Sequence, residues 1–483
     1  MLPPPVQQGE PQLGASYPAQ LRLARYYLGR LRAADTCYRR GHAEGSDGVA
    51  SLNQDWAQIA QWQAWAAAHK LQSREAAQLC AAYPQAGAEI LAARQTPQER
   101  VVWLEHGLAA ARIIGDTRAE ALCLLRLAWA IHKQAALELA EQVGREALVC
   151  AEATGDARLI GQSLHLLGEI AVRRGDFTRA KPLHARSLAL LQAVGAQATL
   201  AEVYFSLSEL AYFCGEFAHA RDHALQCYRI HTTLGLNPTT NNNLTWLGVM
   251  TMEAGDFQAG ERYIRQSVAL CRNNGTQSTL AHGLYTLCEL MVLRRAPVEA
   301  RLYAEESLEL ARLIGEAWLV PYILVSRGAV HLLRGDHAAA RGDLAQAVAM
   351  ARATGYRLTL LFALLRLATA ELAANELDAA AAALREGLEA ALETQATVDM
   401  LYSLFVATRL WARRGATQRA AEWLGLLLRS PGVEQMVRSE LPGLRAELEG
   451  QLGAQACAAA LDRGAELKLP AVLASIQAAL ARA

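Results

Sequence analysis

Apolar and polar positions follow one another in the same order three times in succession: GDFTRAKPLHARSLALLQAVG from Gly175, GEFAHARDHALQCYRIHTTLG from Gly215 and GDFQAGERYIRQSVALCRNNG from Gly255. Each copy starts 40 residues after the last, so the chain has a fixed period. Stepping by that period from Gly115 reaches Gly155, Gly195, Gly235, Gly275, Gly315 and Gly355, and fails at Gln395. Each of these glycines follows a long helical pattern, where a left-handed residue closes the helix at least cost when it has no Cβ. Half a period away stand Gly175, Gly215, Gly255, Gly335 and Gly415, with Arg295 and Asn375 substituting, and Asp176, Glu216 and Asp256 follow as caps for the next helix. Two helices per repeat result.

The interior of the repeat predicts how the two helices meet. On the first helix, Ala128, Gly168, Ser208, Gly248, Cys288, Gly328, Ala368 and Thr408 occupy equivalent positions and are all small. On the second, the equivalent series is Ala140, Ala180, Ala220, Gly260, Ala300, Ala340, Ala380 and Ala420. Small residues at both places let the helices approach while larger side chains interlock around them. An antiparallel hairpin stacked about eight times follows, because one hairpin cannot bury its own apolar faces.

The segment LGEIAVRRGDFTRAKPLHARSLAL resembles a tetratricopeptide repeat, with Leu167 and Gly168 on the first helix, Gly175 and Asp176 in the turn and Ala180 on the second. The 40-residue unit is longer than the usual 34 and matches the subset of that family with extended helices. The resemblance implies an all-α, right-handed superhelical solenoid of about eight to nine hairpins. Residues 96–428 form the repeats, 1–95 an N-terminal helical cap or linker, and 429–483 a C-terminal helical cap. In the N-terminal part, YPAQLRLARYYLGRLRAADTCYRRG and LNQDWAQIAQWQAWAAAHKLQ have helical spacing, and HAEGSDGVAS reads as a polar link between them.

LARYYLGRL, DWAQIAQWQAWAA and RQTPQERVVWLEHGLAAARIIGD further resemble the region joining the nucleotide-binding module to the repeat array in bacterial signal-transducing ATPases with numerous domains (STAND or NB-ARC-like regulators). The tail LPGLRAELEGQLGAQACAAALDRGAEL resembles their closing helices. No GxxxxGK[ST] phosphate loop and no DNA-reading helix-turn-helix occurs in the sequence. The resemblance is therefore to the sensor part of such a regulator, with an ATPase or effector module as a partner in cis or in trans.

Composition narrows the class without naming a partner. Lys plus Arg equals Asp plus Glu at 47 each, so there is no electrostatic footprint for nucleic acid or an anionic membrane. Nine scattered cysteines, none in CxxC spacing, fit reduced thiols in a cytoplasmic protein. MLPPPVQQGE has neither the basic nor the apolar region of a signal peptide, and the longest charge-free stretch, His231 to Met252, is broken by NPTTNNN, so a soluble protein is expected. No HExxH, Gly-x-Ser-x-Gly or ordered Cys and His signature is present, so neither an enzyme nor a cofactor is expected.

One cluster invites a metal reading. His219, His223, Cys227 and His231 recur every fourth residue, and neighbouring members share a helix face. Each four-residue step turns about 40° around the helix, however, so the end members diverge by about 120° and cannot hold one ion. Cys227 also stands where other repeats carry Ala147, Ser187, Ser267 and Ser307, a packing position.

The family resemblance places a ligand against the concave wall lined by first helices. The second, fifth, sixth, ninth and thirteenth positions of the repeat give Glu202, Phe205 and Glu209, then Asn242, Thr245, Trp246 and Val249, then His282, Tyr285 and Glu289, then Tyr322 and Val325. Amides, carboxylates and rings in this order suit an extended peptide or protein segment. Glu209 and Glu289 favour a basic group on it. The chaperone-tail clamp of some family members needs Lys, Asn and Arg where this chain has Glu, Thr or Tyr.

Overall fold

A computed structural model of the chain describes residues 16–482 apart from 41, 135, 236, 275–276, 317 and 355–356. The regular structure among them is helical throughout. First come α1 (Tyr17–Arg40), α2 (His42–His69), α3 (Arg74–Ala86), α4 (Ala88–Arg94) and α5 (Pro97–Ile114). Hairpins follow: α6 (Thr117–Lys133) with α7 (Leu137–Thr154), α8 (Ala157–Arg173) with α9 (Phe177–Ala193), α10 (Gln197–Phe213) with α11 (Phe217–Leu234), and α12 (Asn237–Glu253) with α13 (Phe257–Asn274). The series continues through α14 (Gln277–Leu293) with α15 (Pro297–Leu313), α16 (Val320–Leu333) with α17 (His337–Thr354), α18 (Arg357–Ala373) with α19 (Leu377–Thr394), and α20 (Thr397–Arg413) with α21 (Thr417–Arg429). The chain closes with α22 (Gln435–Leu452), α23 (Ala454–Ala465) and α24 (Leu469–Leu480). Repeats of two helices are thus present from α6 to α21. Residues 42–51, read from their composition as a link, belong instead to the first turns of α2.

The helix ends follow the period. Gly115, Gly155, Gly195, Gly235 and Gly315, together with Gly175, Gly215, Gly255, Gly335 and Gly415, all have positive φ. Gly275 and Gly355 lie outside the described residues. After many of these glycines the next N–H reaches back over the last turn, as Asp176 does to the Ala171 carbonyl at 2.8 Å and Asp256 to that of Thr251 at 3.0 Å, the Schellman closure that satisfies an otherwise orphaned carbonyl. Where glycine is missing the backbone keeps the same shape. Arg295, Asn375 and Gln395 have φ of 54°, 60° and 54°, so the apparent break at Gln395 is one of residue type and not of geometry. Asp176 and Asp256 also cap the following helices through their side chains. Glu216 pairs with Lys181 at 3.4 Å instead.

The small-residue series does what close packing requires. Ala140, Ala180, Ala220, Ala300, Ala340, Ala380 and Ala420 are completely buried. Ser208 donates to the Ala220 carbonyl at 2.6 Å, and Gly168 lies against His184 so tightly that a Cβ there would come within 2.6 Å of the ring. Side-chain bulk at these points would push the hairpin apart.

The chain divides into two compact units. One comprises the chain up to Ile170 with 183–199 and 233–237. In it, Asp35 of α1 accepts the N–H groups of Glu89 and Ile90, both at 3.0 Å, and so caps α4. Tyr83 donates to the Ala24 carbonyl at 2.8 Å, and Trp56 stacks on Trp103 with ring centroids 5.7 Å apart. The same unit buries a ring cluster in which Trp129 and His165 are 5.5 Å apart and His165 and His184 5.6 Å.

The other unit comprises 171–182, 200–232 and the chain from Pro238. Its successive helices from α13 to α21 pack in sequence, α22 packs on α20 and α21, α23 on α21, and α24 on α19 and α20. Residues far apart in sequence also meet within it. Ala171, Val172, Phe177, Ala180 and Leu210 share a core with Ala396, a Cβ on Gly175 would strike Thr394, and one on Gly215 would lie 2.7 Å from the Cα of Gly432. The turns of its early repeats therefore abut the end of α19 and the connection between α21 and α22.

Candidate functional site

The second unit brings residues from equivalent positions of consecutive first helices into one ladder. His282 Nδ1 lies 3.1 Å from Asn242 Oδ1, the His282 and Tyr285 rings are 6.0 Å apart, and Tyr285 meets Tyr322 edge-on at 6.3 Å. Tyr322 continues to Phe362 at 5.7 Å, and its hydroxyl accepts from Thr359 at 2.9 Å. Arg366 then lies over Phe362 and Tyr402, 5.0 and 4.4 Å from their centroids, a placement favourable to a cation above aromatic faces. Trp318, 46% exposed, borders the ladder 6.4 Å from both His282 and Tyr322.

The other expected site residues lie in different surroundings. Phe205 and Trp246 contact one another at 5.8 Å, and Trp246 donates its indole N–H to Ser208 Oγ at 2.8 Å. Glu209 lies 3.8 Å from Arg173. Thr245 is completely buried and donates to Ser267 at 2.8 Å, which places its hydroxyl between packed helices, and Val325 is buried as well. Glu202 is exposed and Val249 half-buried. Glu289 accepts from Ser326 at 3.3 Å.

Several residues of this wall were not singled out from the sequence. Phe362 and Tyr402 occupy the same repeat position as Asn242, His282 and Tyr322, so continued stepping by 40 reaches them. Tyr212, Glu253 and Arg366 are revealed by contacts with Glu434, Gln435 and Met436 at the start of α22, and Asp399 by the nearby Glu434 charge; the period gives no signal for these. Tyr212 donates its hydroxyl to Glu434. Glu253 accepts the Gln435 N–H at 2.9 Å through its carboxylate, and its carbonyl accepts from the Gln435 side chain at 3.1 Å. Arg366 Nη1 lies 2.6 Å from the Met436 sulfur.

Burial dominates the electrostatics here. It raises the Glu253 carboxyl well above the ordinary range, with the Glu434 charge adding to the effect and the Gln435 N–H opposing it. Burial likewise pushes Glu289 up to about 7, against the pull of Arg366, and Asp399 up to about 8, reinforced by Glu434 and opposed by Arg366. His282 is driven down to about 4 by burial.

The histidines and cysteine of α11 separate. His219 is exposed and lies 3.5 Å from Glu216, and His223 contacts the Tyr204 ring at 5.9 Å. Cys227 is buried, 3.7 Å from His231, with its thiol pushed up to about 12 by burial. His231 in turn contacts Asn243. Among the described residues no group of three or more His, Cys, Asp or Glu side chains is arranged to hold a metal ion, and no helix is long and apolar enough to cross a membrane.

No protein-family model matches the sequence, and no curated protein matches it. Among solved structures, a Rap protein complexed with competence and sporulation factor matches with a TM-score of 0.53 and 15% identity, covering 75% of this chain and 99% of that one. Aspartyl phosphate phosphatase F from Bacillus subtilis matches with a TM-score of 0.44 and 10% identity over 86% of this chain and 94% of its own. A signal transduction ATPase with numerous domains carrying a tetratricopeptide repeat sensor, from Pyrococcus horikoshii, gives 0.42 and 15% over 80% of this chain and 61% of its own. The chain is an all-α array of tetratricopeptide-like repeats.

Proposed function

We propose that this chain is a non-catalytic binding module whose ladder of first-helix residues takes an extended peptide or protein segment, as the ligand-sensing or partner-recruiting part of a STAND-type regulatory system. The observation that carries the reading is the continuity of the ladder: Asn242, His282 with Tyr285, Tyr322 and Phe362 come from consecutive repeats and place rings beside polar groups, with Tyr402 buried beneath Arg366 at its end. Rigid rings offer contact area at low cost in side-chain entropy, and interleaved amide, hydroxyl and carboxylate groups fix an extended backbone. The Rap protein of similar fold was solved with competence and sporulation factor, a precedent for ligand binding by such an array.

A second reading is a constitutive scaffold without a switch. Val298 and Leu302, one turn apart on α15, are 71% and 55% exposed and give it an apolar surface.

Selection from a displayed peptide library against the full chain tests the proposal, with Trp246→Ala and Tyr285→Ala as comparisons and circular dichroism to verify their helicity. Selected peptides are expected to bind the variants about tenfold or more weakly, as for a hot spot in an interface. Unchanged binding, or no enriched peptide, defeats the reading. Binding without any change in amide exchange along the ladder favours the scaffold.

A further inference from the structure

Resting on the proposed peptide-binding role of this wall, we infer that residues 430–436 are a built-in occupant of the site, and that the external ligand is a peptide whose carboxylate takes the place of Glu434. The segment is held at both of its ends and along its length. Gly432 meets Gly215 so closely that a Cβ on Gly432 would lie 3.0 Å from the Gly215 Cα. Glu434 accepts from Tyr212, Gln435 binds Glu253 through backbone and side chain, and Met436 reaches Arg366. Arg438 steadies the connection by donating to the carbonyls of Ser430, Pro431 and Val433 at 3.3–3.4 Å.

These contacts are of the kind that an extended ligand requires. A hydroxyl meets a carboxylate, a wall carboxyl accepts a backbone N–H, and a guanidinium lies against a long side chain. Glu434 is extended, with φ −57° and ψ 151°, and directly precedes α22. Glu253 therefore also caps the first turn of α22, and loss of the contact loosens the start of that helix.

The charges point to an acidic ligand in place of the basic one expected from Glu209 and Glu289. Glu209 is already matched by Arg173. Glu289 lies in the field of Arg366, and its burial favours the neutral acid. Arg366, in contrast, stands over two rings where the Glu434 charge acts on it. Removal of Glu434 from this place takes away one of the anionic groups, beside Glu289, that favour the half-buried Arg366 cation, a loss that an incoming carboxylate makes good. While the segment is seated, the apparent affinity for an external peptide falls by the fraction of chains in which it is released.

The test uses the full chain and a synthetic peptide of residues 429–438, RSPGVEQMVR, with a second peptide carrying glutamine in place of the glutamate. One variant combines Glu434→Ala with Gln435→Ala; another, Arg438→Ala, loosens the connection without altering the groups that face the wall. Amide exchange at residues 432–437 reports release, and circular dichroism reports folding. Both loosened variants are expected to bind RSPGVEQMVR about tenfold or more tightly than the unaltered chain. The glutamine peptide should bind more weakly, and Tyr212→Phe added to the loosened chain should weaken binding again. Equal binding by the unaltered and loosened chains, or no binding by a folded chain whose segment exchanges freely, overturns the inference. Library-selected peptides that bind the loosened chain no better than the unaltered one also overturn it, but leave the proposed role of the wall standing. If no peptide binds either chain, both fall.

Discussion

Gly248 and Gly260 face each other across the α12–α13 hairpin so closely that a Cβ on Gly260 would lie 2.6 Å from the Gly248 carbonyl oxygen, and one on Gly248 would lie 2.8 Å from that of Gly260. Backbone cannot yield as a flexible side chain can. Gly260→Ala is therefore expected to destabilise the chain by about 1–3 kcal/mol. Gly342, inside α17 with nothing within 4 Å of its Cβ position, is the control: Gly342→Ala should stabilise by up to about 1 kcal/mol from helix propensity. Urea unfolding of both measures the difference, and equal shifts would defeat the packing argument.

Gln395 adopts the left-handed conformation at φ 54° and is exposed. A side chain with a Cβ costs about 1–2 kcal/mol there, which glycine largely avoids while losing more freedom on folding. Gln395→Gly should raise stability by about 0.5–1 kcal/mol. A loss on thermal unfolding would mean that the Gln395 side chain makes a contribution that outweighs its backbone strain.

The repeat was legible because a helix end and a close helix crossing each demand a residue type at a fixed place. Gly115 and its successors, and Ala140 and its successors, register those demands every 40 residues. Gln395 shows the limit, since the geometry persists where the residue does not. The ladder was legible in part for the same reason, as His282 and Tyr322 lie one period apart and Phe362 and Tyr402 extend the series. Thr245 lies one period from Tyr285, but its short hydroxyl donates to Ser267 in the packing between helices. Glu434 and Gln435 were not legible. Their partners Tyr212 and Glu253 are 222 and 182 residues away, and a contact that closes a unit on itself leaves no periodic trace.

Burial raises Glu253, Glu289 and Asp399 in the folded chain. A carboxyl raised on folding contributes stability that is complete below its unfolded value and is lost as pH rises through its folded one. For Asp399 this window runs from 3.8 to about 8. The thermal midpoint is expected to fall between pH 6.5 and 8, inside this window, and Asp399→Asn, which cannot ionise, should reduce that fall. An unchanged slope in Asp399→Asn would show that this carboxyl is ionised in the fold.

At the acid side the first unit should respond instead. His165 is driven down to about 4 by burial, opposed by the Glu169 charge, and burial also lowers His184. Both rings are then neutral in the fold at pH values where an unfolded imidazole, titrating at 6.5, is protonated. The stability associated with His165 is complete above 6.5 and is lost as pH falls toward about 4. His165→Phe keeps a ring between Trp129 and His184 and removes one titrating group, so its urea midpoint should decline less between pH 7 and 5 than that of the unaltered chain. His184 is fully buried and would still titrate, so part of the decline should remain. An identical decline in both chains would place the acid sensitivity outside this cluster.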